Sequence, residues 1–147
     1  MFGIYDDHGI RFEYPPDWDL DVTEEDARTT VAIQSPGGLA FAMVTVDEDR
    51  PAPAEMVDEA VAAMRDEYPS LEILPAIEEI DGHKAVGHDI EFFSLDMLNG
   101  CAIRSFRTKH RTILVFGQWS EADDDADGDA AEALMRAMRK SLEETDS

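Results

Sequence analysis

The sequence has few basic residues and a single cysteine. Of its 147 residues, 34 are Asp or Glu and only 12 are Lys or Arg, which gives a formal net charge of −22. Phosphate backbones and anionic lipid surfaces repel such a chain, so we expect no binding to nucleic acid or membranes through general electrostatics. Because Cys101 has no second cysteine with which to form an internal disulfide, a cytoplasmic location is the default expectation.

Long apolar runs and the common catalytic signatures are also missing. No apolar run approaches the ~20 residues of a transmembrane helix, and residues 1–7 lack the basic and apolar regions of a secretion signal. The patterns G-x-S-x-G, G-x-x-x-x-G-K-[ST] and G-x-G-x-x-G do not occur, and neither does a His or Cys spacing typical of zinc sites. We therefore expect no membrane insertion, no catalytic residues and no tightly bound cofactor.

The acidic residues are spread along the whole chain, from Asp6 to Asp146, and do not form a tail. An even acidic coat keeps a surface hydrated, but it adds self-repulsion. Salt relieves this repulsion, because the Debye length falls from ~30 Å at 0.01 M to ~3 Å at 1 M. Our hypothesis is that the protein is adapted to a salty cytoplasm or a saline habitat. The alternative is an ordinary acidic protein.

The hydrophobic pattern predicts strands and helices in the order β-β-β-β-α-β-β-β-β-α. Period-2 alternation and turn residues indicate strands over residues 9–14, 20–23, 29–35, 39–46, 71–80, 84–93, 101–108 and 112–119. Period-3.6 patterns indicate one helix between Pro51 and Pro69 and another over residues 130–142. Long runs of adjacent strands with one crossover helix predict a single α+β domain over residues 1–147, built on a mostly antiparallel sheet. We expect residues 143–147 to fray.

Four segments, taken in order, resemble the PsbP-like superfamily, which includes PsbP, Mog-type Ran-binding factors and DcrB-like proteins. They are residues 9–18 (GIRFEYPPDW), 35–38 (SPGG), 80–85 (IDGHKA), and the apolar strand 112–119 with the helix that closes at residues 140–142 (KSL). The resemblance covers nearly the whole chain and implies an α/β/α sandwich. It also implies a non-catalytic role, since members of this superfamily mostly bind, scaffold or chaperone other proteins.

An acidic segment near the second helix contains a partial cation-binding pattern. Asp123, Asp125 and Asp127 match the opening D-x-D-x-D-G of a calcium loop. The match then fails, because the twelfth position is Leu134 and not a bidentate Glu. We interpret residues 121–129 as a solvated loop. A weak divalent-cation site, with calcium as the expected ion, is the alternative.

The basic residues are concentrated in one predicted hairpin. Arg104, Arg107, Lys109 and Arg111 place four of the 12 cations within eight positions. Strand alternation puts Arg104 and Arg107 on opposite faces, so the four do not form one flat patch. One interpretation is that they pair with neighbouring carboxylates. The other is a docking site for an acidic peptide of a partner protein or for a small anion.

We interpret the chain as a non-catalytic domain that binds another protein through a sheet edge, a groove beside a helix, or the basic hairpin. A second class is a module that binds a small molecule or lipophile in a pocket between sheet and helix, lined by residues such as Met56, Met64 and Phe106. A third class is an unrecognised enzyme, which would need an open cleft that holds His88 beside Cys101 or a carboxylate.

Overall fold

The computed structural model describes residues 3–38, 40–121 and 125–145, with the side chains of all of these except 121 and 125–132. The elements follow along the chain as β1 (Gly3–Asp7), β2 (Ile10–Tyr14), β3 (Asp19–Glu25), β4 (Arg28–Gln34), β5 (Ala40–Asp47), α1 (Pro53–Glu67), β6 (Glu72–Ile80), β7 (His83–Ser94), β8 (Met97–Arg107), β9 (Thr112–Glu121), α2 (Asp125–Ser141) and β10 (Glu143–Glu144).

Seven strands form one antiparallel sheet with the order β3-β4-β5-β9-β8-β7-β6. After β5 the chain crosses from the middle of the sheet to its far edge, and α1 packs against β9, β8 and β7 on the way. A smaller antiparallel sheet, with the order β1-β2-β10, joins the first strands to the last one. This topology confirms the prediction of an α+β fold with a mostly antiparallel sheet.

Each face of the large sheet carries its own apolar core. On one face, the buried residues Met56, Val57, Val61 and Met64 of α1 pack against the sheet. On the other face, α2 packs against β9 and β2, so the small sheet and α2 together form the third layer. Within the described part of the chain, neither helix is long and apolar enough to cross a lipid bilayer.

The central position of β9 follows from its sequence. Residues 113–116 are all apolar and all buried, which requires cover on both faces of the strand. The two layers supply this cover, and β9 lies in the middle of the seven-stranded sheet, as a strand that is apolar on both faces should. β2 ends before Pro15, and the Trp18 amide donates a hydrogen bond to the Pro15 carbonyl at 3.1 Å. The turn brings the Trp18 ring into the core on the α2 face.

Asn99-Gly100 is a sequence typical of a turn, and a longer loop from Ser94 is the alternative interpretation of this region. The structure has no turn at Asn99-Gly100. Both residues lie within β8, and the chain turns earlier, at Leu95 and Asp96, which have φ angles of 54° and 61°. Gly100 faces Trp119 across the β8–β9 pair, and a Cβ atom at this position would lie 2.6 Å from the indole ring. The glycine is therefore needed for a close approach between strand and ring, and not for a turn.

The prediction that the chain frays from residue 143 is wrong for the residues that the structure describes. Glu143 and Glu144 form β10, which pairs with Arg11 and Ile10 of β2. The amide of Thr145 then donates to the Gly9 carbonyl at 3.0 Å. The physical reason is that β2 pairs with β1 on one side only, so its other edge has backbone groups available for a further strand.

Candidate functional site

A cleft of about 500 Å³ lies between α1 and the neighbouring strands β5 and β9. Its walls are mainly apolar and include Met56, Ala60 and Met64 of α1 and Phe41, Met43, Leu114 and Phe116 of the sheet. Because α1 packs on β7, β8 and β9, the cleft opens toward the β5 and β4 side of the sheet. A volume of this size lies within the range of about 300–1,000 Å³ typical of ligand pockets.

Strand alternation explains the apolar floor of this cleft. Phe41 and Met43 are two positions apart on β5, so their side chains point to the same face. Met43 pairs with Phe116 of β9 in the register, and the rings of Phe41 and Phe116 stack with centroids 5.8 Å apart. Both Phe41 and Met43 are only half-buried, which leaves apolar surface for a ligand or partner to cover.

Charged groups close one end of the cleft. Arg28 on β4 donates to the Glu59 carboxylate of α1 at 3.1 Å and to Asp47 of β5 at 3.0 Å. The hydrogen bond that Arg28 donates to Glu59 is the largest cause that raises the pKa of Arg28, so the guanidinium stays charged. These contacts attach the helix to the sheet. At the other end, Tyr68 lies on Phe92 with ring centroids 4.1 Å apart.

Cys101 lies beneath α1 and is not exposed to solvent. Its thiol donates to the Met64 sulfur at 3.8 Å. Burial raises the pKa of Cys101, and Asp89 raises it further, which disfavours the thiolate that a nucleophile or metal ligand needs. His88 lies on the same face and pairs with Ile103, two positions from Cys101. Because Cys101 is only 2% exposed, its thiol does not open to solvent beside His88. The enzyme interpretation, which also allows a carboxylate beside His88, stays untested.

The structure separates the four residues of the basic hairpin. Arg104 and Arg111 are only 5% and 4% exposed. Arg104 donates to Glu78 at 3.1 Å and to Asp89 at 2.8 Å. These contacts are the pairing with neighbouring carboxylates that one interpretation of the hairpin describes. Strand alternation turns Arg104 under α2, where acidic side chains of β6 and β7 neutralise it.

Arg111 is held by a second set of internal contacts. It donates to Glu48 at 3.3 Å and to Glu144 of β10 at 2.7 Å. Arg107 and Lys109 are exposed, and Arg107 donates to the carbonyl of Arg50 at 3.3 Å. Binding of an acidic partner stays a prediction for the hairpin, in which Arg107 and Lys109 are the exposed members.

The candidate cation site falls largely outside the described residues. Asp123 is not among them, and neither are the side chains of Asp125 and Asp127. The backbone is helical from Asp125 onward, so the predicted loop over 121–129 is wrong where the helix has begun. A helix does not arrange side chains as a calcium loop does. Elsewhere, among the described residues, no group of three His, Cys, Asp or Glu side chains could hold a metal ion.

The pocket predicted between sheet and helix agrees with two of its three proposed residues. Met56 and Met64 line the α1 cleft, whereas Phe106 belongs to the core on the opposite face, under α2. Sequence reasoning missed Phe41 and Met43. Alternation along β5 was the available signal, but it did not reveal that α1 would leave these two side chains partly uncovered.

Comparisons with known proteins identify the fold. No family model matches the sequence, and no curated protein matches it. The structure is similar to cyanobacterial PsbP (CyanoP) from Synechocystis sp. PCC 6803, with a TM-score of 0.64 and 14% sequence identity over 97% of this chain and 92% of CyanoP. LpqN of Mycobacterium tuberculosis, which is involved in cell envelope biogenesis, gives a TM-score of 0.55 and 13% identity over 97% of this chain and 89% of LpqN.

A third similar structure is a Bacteroides thetaiotaomicron VPI-5482 protein, with a TM-score of 0.60 and 8% identity over 95% of this chain. This chain spans about half of that protein, since 46% of the longer chain is covered. At these identities the similarity concerns the fold alone. The chain therefore has a PsbP-like α+β fold, as the four sequence segments indicate.

Proposed function

We propose that the protein is a non-catalytic binding domain whose α1 cleft receives an apolar segment of a partner protein that carries basic residues beside it. The observation that supports this proposal is the partly uncovered apolar floor of the cleft, formed by Phe41 and Met43. Covering such surface is favourable by roughly 25 cal/mol per Å² before the cost of association is subtracted.

The side chains of the cleft suit a peptide. Met43, Met56 and Met64 supply flexible, polarizable thioethers, which adapt to apolar side chains of different shape. Such surfaces are typical of proteins that receive an amphipathic helix in a groove. The length of α1, 15 residues, gives the groove a wall long enough for several turns of a bound helix.

The negative charge around the cleft favours a partner with basic residues. Glu59 and Glu67 lie along the α1 side of the cleft, and Asp19 and Asp21 occupy the exposed edge strand beyond β4. The whole chain carries −22. Acidic partners are repelled, whereas basic residues beside the apolar segment are attracted and speed association at low salt.

The sheet edges are poorer candidates for partner binding. Four of the seven residues of β3 are exposed acids, and Pro75 interrupts the hydrogen-bonding groups of β6. Natural sheets use like charges and proline at their edges to prevent the addition of a further strand. We therefore favour the cleft over either edge.

The test uses the purified protein as bait in an extract of its source cells in molar KCl, followed by titration of each captured protein after purification. We compare wild type with Phe41→Asn in the cleft and with Phe93→Asn, a matched change at a side chain that is 72% exposed outside the cleft. We expect Phe41→Asn to weaken binding about tenfold or more, which one lost buried aromatic contact of 1.4 kcal/mol or more would give, and Phe93→Asn to have no effect.

Equal affinities of Phe41→Asn and wild type for the captured protein would contradict the proposal, as would an extract that yields no protein. The size and apolar walls of the cleft also favour a second candidate, a lipophile-binding module. Displacement of an apolar fluorescent dye by a long-chain fatty acid, lost in Phe41→Asn and kept in Phe93→Asn, would support this candidate.

Salt adaptation and a cytoplasmic location are part of the same proposal. The even acidic coat and the single buried cysteine support them, because the coat tolerates high ionic strength and a lone thiol suits a reducing compartment. Fractionation of the source cells, with the protein recovered in the cytoplasmic fraction, is the expected outcome. Recovery from the envelope fraction would contradict it.

A further inference from the structure

A second cleft, of about 410 Å³, lies on the opposite face of the sheet, between α2 and strands β6 to β8. It differs from the α1 cleft because charged side chains dominate its walls, and it shares no lining residue with it. Acids of β6 and β7 lie on one side, and Arg104 and Arg139 lie beneath α2. The apolar partner segment proposed for the α1 cleft does not fit a site of this chemistry.

Trp119 carries an unused hydrogen-bond donor in this cleft. The residue is only 7% exposed, and its buried Nε1 atom has no hydrogen-bond partner among the residues that the structure describes. The indole lies over Gly100, with Nε1 only 2.6 Å from the position that a Cβ atom would occupy there. Buried polar groups are nearly always paired in folded proteins. An acceptor on a ligand would satisfy this N–H.

Arg139 supplies further donors. It is 7% exposed, and its Nε atom donates to both carboxylate oxygens of Glu78 at 3.1 Å. Its Nη1 and Nη2 atoms make no hydrogen bond to a described residue, although the side chain lines the cleft. A guanidinium with its outer nitrogens available binds a carboxylate in two-point geometry.

Two carboxylates occupy the other side of the cleft without a cationic partner among the described residues. Glu72 of β6 faces Glu91 of β7 directly in the register, and both are exposed. Like charges opposite each other destabilise a strand pair. A cationic group between Glu72 and Glu91 would remove this repulsion.

These groups lie in one row across the sheet. Glu72, Glu91, Gly100 and Trp119 are successive register partners on β6, β7, β8 and β9. The indole lies over Gly100, and Gly100 pairs with Glu91 on the neighbouring strand. The Trp119 donor therefore lies about one strand spacing, roughly 4.8 Å, from the backbone of Glu91. A ligand that reaches both residues spans two adjacent strands, so its anionic and cationic groups must lie close together, as they do where a single carbon atom joins them.

We propose that the cleft beneath α2 binds a small zwitterion of the amino-acid class. Its carboxylate accepts from Trp119 Nε1 and the outer nitrogens of Arg139, and its ammonium group donates to Glu91 and Glu72. Arg104, neutralised by Glu78 and Asp89, holds the floor of the site in place. The remaining volume accommodates a side chain, so the site has room for more than glycine.

The test follows the indole N–H resonances of the full chain in ¹H–¹⁵N spectra, with each common L-amino acid added separately at millimolar concentration. Acetate and methylammonium serve as one-ended probes. Trp18 and Trp119 are the two tryptophans, and Trp119→Phe assigns the second resonance. We expect at least one amino acid to shift the Trp119 resonance in a saturable way, and acetate or methylammonium alone to act much more weakly.

Variants locate the two ends of the ligand. Trp119→Phe keeps a ring over Gly100 but removes the donor, so we expect it to melt no lower than wild type and to bind the amino acid about tenfold more weakly by calorimetry. Glu91→Gln removes one acceptor for the ammonium group, so we expect it to weaken binding of the amino acid as well. Glu55→Gln, an exposed acid of α1, is the matched control and leaves binding unchanged.

No shift of the Trp119 resonance with any amino acid would overturn the proposal. An equal response to acetate would also overturn it, because the ammonium group would then contribute nothing. Both results are independent of the partner-binding test, since Phe41 lies on the other face of the sheet.

Discussion

Glu78 is held between two buried arginines, Arg104 on β8 and Arg139 on α2. Burial raises the pKa of Glu78, but the guanidinium groups of Arg139 and then Arg104 outweigh it and hold the pKa below its usual value. A carboxyl whose pKa is lowered by folding stabilises the folded state above its unfolded pKa. This contribution is lost as the pH falls through the lower, folded value.

We expect Glu78→Gln to reduce the free energy of unfolding by about 2 kcal/mol near pH 7, because two buried cations lose their shared partner. The deficit should shrink as the pH falls below the unfolded pKa of about 4.3, and it should vanish below the lower pKa of the folded state, where the wild-type carboxyl is itself protonated. Urea unfolding at a series of pH values measures both effects. Glu79→Gln, an exposed neighbour on β6, is the charge-matched control and should stay within ~0.5 kcal/mol. A deficit that is independent of pH would contradict this role of Glu78.

The direction in which charged side chains point was only partly predictable. Alternation along β8 places Arg104 and Arg107 on opposite faces, which the sequence states directly. Arg104 contacts Glu78 because β6 lies next to β7 in the sheet and α2 covers both strands. These long-range pairings are not encoded in the periodicity of the sequence. The position of the Trp119 indole N–H could not be predicted from the sequence for the same reason.

At the scale of elements, β10 is small but carries a buried contact. Glu144 accepts from Arg111 at 2.7 Å and from the Thr108 hydroxyl at 2.6 Å, next to the β8–β9 turn. The strand therefore ties the small sheet to the large one. Its two residues contribute more through these charge-assisted contacts than through backbone pairing.

A chain that ends after Leu142 should lose about 1–3 kcal/mol of stability, because the buried Arg111 loses a charged partner. A chain that ends after Thr145 keeps β10 and is the control. The urea midpoints of the two chains, with slopes checked for equality, give the difference. Equal midpoints would show that residues 143–145 contribute nothing, as the sequence pattern alone suggests.

The central elements were predictable because local and tertiary preferences agree. The apolar residues 113–116, the helix between Pro51 and Pro69, and the Asp81-Gly82 turn all form as their patterns indicate. The elements that were missed have no such signal. β1 and β10 are short, and each exists because β2 lies beside it. Asn99-Gly100 carries turn chemistry, but packing against Trp119 decides its conformation.

At the scale of the whole molecule, repulsion among the acidic side chains is the contribution to stability that depends most on the salt concentration. The described ion pairs are few compared with the 34 acidic residues, and exposed pairs contribute only ~0.2–1 kcal/mol each. Added salt weakens both effects. The repulsion among the excess acids is the larger of the two, so its relief should determine the direction of the change.

We expect the Tm to rise from low salt to molar KCl. For a chain of this size, each kcal/mol of relieved repulsion raises Tm by roughly 2–4 °C. Calorimetric scans across a KCl series measure the shift, and sucrose of equal osmolarity controls for non-ionic effects of the solute. A flat or falling Tm would contradict salt adaptation.

The contact between β2 and the last residue of α2 has a consequence for synthesis. The Glu13 amide donates to the Ser141 hydroxyl at 2.9 Å, and the two residues are 128 positions apart. A ribosome adds about 5–20 residues per second, so the first hairpin waits on the order of ten seconds for the segment that completes its core. During this interval an unfinished apolar surface faces the crowded cell, and the negative charge of each nascent chain keeps it away from its neighbours.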